Sequence, residues 1–146
     1  MKSALFTLLL LAAPALSQTS VETVIAEARA DCTALGGTLS VGKGTISRPD
    51  LDGDGRADTL VDTARLSCSA AASLFCGTGG CGITTLVGSR RDEFLARGWK
   101  LLRWDGKPIL LLAVHGSECG GIGADRCVRA VLFTETGPRT IAAPQP

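Results

Sequence analysis

The chain has 146 residues, of which 45% are hydrophobic, 20% charged and 4% aromatic, with a formal net charge of +1 and no tyrosine. This is a one-domain length, and the apolar fraction and near-zero charge exclude a disordered chain and a basic nucleic-acid-seeking tail. Scarce aromatics exclude a stacking platform for single-stranded nucleic acid, while eighteen glycines and six cysteines point to a loop-rich, cross-linked fold.

Residues 1–17 have the layout of a secretory signal peptide: Lys2, an apolar run over 4–13 broken only by Thr7, then Pro14 and the small-residue site Ala15-Leu16-Ser17. The run is shorter than the ~20 residues a membrane span needs, and no cysteine follows it closely enough for lipid attachment. Cleavage after Ser17 removes Lys2 and leaves equal numbers of basic and acidic residues. A single exported domain over 18–146 is expected, periplasmic or secreted, with no transmembrane segment once the leader is cut.

Over 21–35, Val21, Val24, Ile25, Ala28, Cys32 and Leu35 recur at three- and four-residue steps, which predicts an amphipathic helix with Ser20 as N-cap and Gly36-Gly37 as its stop. Strand patterns follow at 38–46, 59–68, 83–87, 99–104, 108–114 and 127–134, with a short tail strand after Thr136-Gly137-Pro138. Asp105-Gly106 marks a hairpin turn, and 92–98 reads as a single helical turn. There is no internal repeat. The expected class is α+β: an N-terminal helix followed by an antiparallel β-meander of about five or six strands, stapled by disulfides.

Cys32, Cys68, Cys76, Cys81, Cys119 and Cys127 form an even set in an exported chain, which reads as three disulfides. Six cysteines allow 15 pairings, and the sequence alone does not choose among them. Local loop closure suggests Cys76–Cys81 and Cys119–Cys127, which leaves Cys32–Cys68. Zinc binding and thioredoxin-like chemistry lack their spacings, since there is one histidine and no Cys-x-x-Cys.

The chemical centre is the acidic loop at 50–58. Asp50, Asp52, Asp54 and Asp58 surround Gly53 and Gly55. Alternate carboxylates on one tight turn suit a hard, oxygen-seeking cation such as calcium, which also offsets their mutual repulsion, and the carbonyl of Arg56 is a further candidate donor. The spacing follows an EF-hand loop until the position of the bidentate glutamate, where Val61 stands, and Pro49 precludes the leading helix. The loop resembles those of FG-GAP and VCBS-type repeats, which bind calcium between β-strands. That resemblance covers about 47–62 and implies metal roles for Asp50, Asp52, Asp54, Asp58 and the Arg56 carbonyl. One copy implies no propeller. The chain as a whole, through Phe75-Cys76-Gly77-Thr78-Gly79-Gly80-Cys81 and His115-Gly116-Ser117-Glu118-Cys119, looks like small exported bacterial proteins, a likeness that implies no activity.

Other constellations are weaker. His115 and Ser117 are the base and nucleophile of a hydrolase reading that has no third group. Asp62 with Glu118 or Asp125 is a candidate carboxylate pair for glycoside chemistry. The stretch 37–45 nearly spells a phosphate-binding loop, but Gly44 replaces the Ser or Thr that should follow Lys43. Arg90, Arg91, Arg97, Lys100, Arg103 and Lys107 form a basic segment, read either as a solvated face or as a contact for an anionic envelope polymer. Trp99 and Trp104 are read as core or rim anchors. The sequence therefore leads to an exported, disulfide-bonded binding or accessory module with a structural calcium loop, no catalysis, and an unknown protein or cell-envelope polymer as partner. A small hydrolase using His115 or the acidic cluster, and a proteinaceous enzyme inhibitor, are the alternatives.

Overall fold

The computed structural model describes residues 20–142. The leader expected at 1–17 and the proline-rich end at 144–146 lie outside the described residues. Helix α1 (Val21–Ala34) starts where Ser20, in extended backbone, accepts the Thr23 amide on its side-chain oxygen. It buries Val21, Val24, Ala28 and Cys32 along one face. Gly36 ends it in the left-handed region at φ +76°, and the Gly36 and Gly37 amides donate to the last-turn carbonyls of Thr33 and Cys32.

In chain order the strands are β1 (Leu39–Val41), β2 (Ile46–Ser47), β3 (Thr59–Asp62), β4 (Leu66–Cys68), β5 (Cys76–Gly77), β6 (Gly80–Val87), β7 (Arg90–Ala96), β8 (Gly98–Trp104), β9 (Lys107–Val114), β10 (Cys127–Thr134) and β11 (Gly137–Ala142). The α+β class with three disulfides holds, but eleven strands among the described residues replace the expected five or six, and they do not form one meander. Local causes account for the difference. The stretch 38–46 divides at Gly42–Thr45, where the Thr45 amide and hydroxyl both donate to the Gly42 carbonyl. The stretch 59–68 divides at a 3-10 turn over Thr63–Arg65, because the Asp62 side chain accepts the Ala64 amide and starts a turn. The expected helical turn at 92–98 is instead strand β7 and its corner, paired with β6 from Cys81↔Ala96 to Val87↔Arg90.

Strand β6 is the hub of a five-stranded antiparallel sheet, with β7 along one edge and β3 and β5 sharing the other, and β2 pairs β3. A four-stranded antiparallel sheet has the order β11-β10-β9-β8. Its β8–β9 hairpin turns at Asp105 and Gly106, both at positive φ (+49° and +74°), the geometry an Asp-Gly turn favours. A small ribbon pairs β1 with β4.

The two larger sheets enclose one core built from Leu51, Leu60, Ile83, Val87, Leu110, Leu112, Val131 and Phe133 among others, with Phe94 edge-on to Phe133 at 6.4 Å. At the β7–β8 corner the Arg97 amide donates across to the Ala113 carbonyl at 2.7 Å. The opposite face of the five-stranded sheet is covered by α1: Val21, Val24 and Ile25 pack on Val61 and Leu86. Leu60 and Val61 thus point to different cores from adjacent positions of one strand, and both are fully buried. The outer face of the four-stranded sheet carries half-buried Leu102, Ile109, Leu111 and Leu132 and exposed Trp104 and Ile141. No described helix is long and apolar enough to cross a membrane.

The disulfides join Cys32–Cys68, Cys76–Cys81 and Cys119–Cys127, and no cysteine is free. The first ties α1 to β4, the second joins β5 to β6 across their turn, and the third closes the glycine-rich loop before β10. Such cross-links belong to chains that mature in an oxidising compartment.

Candidate metal centre

The acidic loop leads directly into β3 and closes that end of the sandwich. The Asp58 amide donates to the Pro49 carbonyl at 2.8 Å, pinching the loop shut at its base. Between those points Leu51 turns inward and is 1% exposed, so the loop is anchored in the main core by one apolar side chain. The carboxylates organise the backbone around it: Asp50 accepts the Gly53 amide at 2.6 Å, Asp52 the Asp54 amide at 3.1 Å and Asp54 the Arg56 amide at 2.7 Å. Gly53 and Gly55 take φ of +85° and +83°, which other L-residues adopt only with strain. A side chain at Gly53 would also meet the ring of Pro108 at 3.0 Å.

Three carboxylates converge. Asp50, Asp52 and Asp58 each offer an oxygen, and those oxygens lie within 4.8 Å of one another. Asp58 is 8% exposed, and its Oδ2 accepts the Leu51 amide at 2.8 Å. Burial, above all, raises its pKa over the ordinary aspartate value; the Leu51 amide opposes the rise, and the charges of Asp52, Asp54 and Asp50 add to it. Asp50 moves the other way, lowered chiefly by its hydrogen bond from Arg103, whose guanidinium lies 3.0 Å from Oδ2.

Asp54 is not among the converging carboxylates. The Asp54 carboxylate is forked onto Arg56, through Nε at 2.7 Å and Nη2 at 2.5 Å, and its pKa is lowered first by the Arg56 amide and then by that side chain. Arg56 is largely in solvent, so the pair contributes little to stability. Two participants escaped the sequence reading. Arg103 lies 53 positions from Asp50, and no local pattern connects them. Leu51 did carry a signal, as the lone large apolar residue between carboxylates.

The oxygen-only donor set fits a hard divalent cation, with Asp50, Asp52 and Asp58 as holders and Asp54 able to join only by leaving Arg56. These placements lead to a sign-reversing prediction. In chelator at neutral pH, Asp58→Asn keeps an acceptor for Leu51 but removes a charge that is disfavoured by burial and by its acidic neighbours. The variant is expected to melt a few degrees above wild type, roughly 1 kcal/mol in a domain of this size. The folded-state pKa of Asp58 is raised, so the folded chain binds this proton more tightly than the unfolded chain. The penalty in wild type is therefore relieved progressively as pH falls from the raised value toward the ordinary aspartate value, and the gap between the two proteins closes only below that ordinary value. Were a calcium ion held at the triad, the order of melting temperatures would be expected to reverse in saturating calcium. A variant less stable than wild type at neutral pH in chelator would contradict the assigned electrostatics.

The remaining candidates are engaged locally. His115 Nδ1 lies 2.7 Å from the Ser117 hydroxyl and also accepts the Ser117 amide, capping the 3-10 turn Gly116–Cys119. The other side of the ring lies against Gly123, and no carboxylate hydrogen-bonds the ring among the described residues. Asp62 accepts from Trp99 and Ala64, Glu118 pairs with Arg129, and Asp125 accepts the Ile122 amide. In the basic segment Arg90 donates to the Thr134 and Glu135 carbonyls, Arg91 pairs with Glu27 and Glu93, and Lys100 and Lys107 are exposed. The stretch 37–45 opens no helix.

No protein-family model, curated protein or solved structure matches this chain.

Proposed function

We propose that this is an exported, non-catalytic binding or accessory domain whose acidic loop holds a structural calcium ion. The convergence of Asp50, Asp52 and Asp58 around a buried carboxylate carries the reading. Burial and repulsion both disfavour the charge on Asp58, and a divalent cation answers both at once. The ion would fix the turn that delivers the chain into β3 and seats Leu51, an ordering role between strands. The cross-links and the leader-like start at 1–17 support an address in the periplasm or outside the cell.

Without a bidentate glutamate, calcium is expected to bind in the ~10⁻⁴–10⁻³ M class of extracellular modules. At about 10 mM calcium this adds roughly 1.4–2.7 kcal/mol to the folded state, or roughly 5–10 °C in melting temperature. Calorimetric titration of the chelator-stripped, oxidised protein should show saturable binding that Asp52→Asn abolishes. Heat and melting temperature that do not respond to calcium would reduce the loop to a turn stapled by its own hydrogen bonds.

A further inference from the structure

At the far end of the sandwich from the acidic loop lies a cleft of about 730 Å³, within the size range of small-molecule sites. Strand β3 runs from Thr59 at the loop to Asp62 in this cleft, and β8 runs from the cleft toward the hairpin beside the loop. Its floor is apolar, from Ile83 and Ala96, each 2% exposed. Trp99 forms a wall, held by a hydrogen bond of 3.1 Å from its indole N–H to Asp62 Oδ2. Around these stand three cations delivered by three segments: Lys43 from the turn between β1 and β2, Arg65 from the 3-10 turn, and Arg97 from the β7–β8 corner.

The charges in this cleft are not balanced from within. Asp62 is its one carboxylate, and both of its oxygens are occupied, Oδ1 by the Ala64 amide and Oδ2 by Trp99. Among the described residues, Lys43, Arg65 and Arg97 take part in no ion pair. Their segments are nonetheless fixed: Arg97 donates through Nε and Nη2 to the Thr78 carbonyl, and the Gly42 amide donates to the Arg65 carbonyl at 2.8 Å. Exposed cations on fixed segments around an apolar floor, with no anion of their own, are arranged for one supplied from outside. We infer that this cleft binds a small organic anion, a ring compound bearing carboxylate or phosphate, with its anionic group on Lys43, Arg65 and Arg97 and its body against Trp99 and Ile83. The inference rests on the binding-module reading above and names its ligand class.

The chain suits an optical test, because it has two tryptophans and no tyrosine. Trp104 is 74% exposed and outside the cleft, so Trp104→Phe leaves Trp99 as the only reporter. This protein is titrated with tri-galacturonate, glucose 6-phosphate and neutral cellotriose. A saturable change in Trp99 emission with tri-galacturonate assigns the cleft to carboxylates, and one with glucose 6-phosphate assigns it to phosphates. Either response should weaken about tenfold with each of Lys43→Gln and Arg65→Gln, weaken with added salt, and persist in Lys100→Gln. Silence toward both anions through the millimolar range, or equal binding of cellotriose, overturns the inference. Calcium titration of the Lys43→Gln, Arg65→Gln protein reads the acidic loop separately, so failure of the cleft and failure of the calcium reading are distinguished.

Discussion

Replacing Cys32 and Cys68 together by alanine is expected to lower the free energy of unfolding by about 4 kcal/mol, on the loop-entropy scale for a bridge of this span. The bridge closes a sequence separation of 36 residues, the largest of the three. It also does what packing alone does weakly. Apart from the disulfide, α1 is held by a small cluster of Val21, Val24, Ile25, Val61 and Leu86 and by the surface ion pair of Glu27 with Arg91. Without the bridge the helix can lift from its sheet and expose Val61 before the main core opens. Urea denaturation should show the lower stability, and limited trypsin digestion should cut at Arg29 in α1 under conditions where the two-sheet core still resists. The matching Cys76, Cys81 double alanine variant, which opens a separation of 5 residues, should lose only about 2 kcal/mol. Equal losses in the two variants would show that loop closure does not set the ranking.

The second large effect concerns Leu51. Leu51→Ala removes a side chain that is 1% exposed and belongs to the main core. It is expected to cost about 3 kcal/mol, within the range for leucine truncation in a packed interior. Leu51→Met, which roughly keeps the volume, should cost under about 1.5 kcal/mol. The informative comparison is with calcium present. The Leu51 amide donates to Asp58 and its side chain anchors the loop, so truncation would loosen the carboxylates proposed to hold the ion. Calcium must then order the loop as well as bind it, and the calcium-induced rise in melting temperature should shrink. Denaturation of both variants in chelator and in calcium reads the packing loss and the coupling separately. An undiminished calcium shift in Leu51→Ala would place the ion site elsewhere than this loop.

Both predictions start from features that differ in how far the sequence revealed them. The spacing of Cys76 to Cys81 and of Cys119 to Cys127 made local closure the natural pairing, and the recurrence of Val21, Val24, Ala28 and Cys32 marks the buried face of α1. Strand β7 was not legible. Arg90-Arg91-Asp92-Glu93 has poor strand propensity, and its conformation comes from pairing with β6, a tertiary context that overrides local preference. Strands of two or three residues such as β2 and β5 are too short to carry an alternating pattern.

The candidate sites divide in the same way. The acidic loop could be read because its chemistry lies within nine consecutive residues. Asp54 went to Arg56 instead of the triad because a partner two positions away competes for it in solvent. The cationic cleft is assembled from positions 43, 65 and 97, and Arg97 was visible only as one of six charges in a basic segment. What gathers these residues is sheet topology.

The positions of the loop and the cleft have an electrical consequence. Asp52 and Asp58, which take part in no ion pair among the described residues, stand at one end of β3 and the unmatched cations of the cleft at the other, in a chain whose net charge is only +1. Such separation contributes a dipole component along that strand, so a nearly neutral molecule would still experience a torque in an external field. Near a negatively charged surface it would turn its cleft inward and its acidic end outward. A divalent ion seated among the aspartates would cancel part of one pole, so calcium concentration would set how strongly the domain aligns as well as how stable it is.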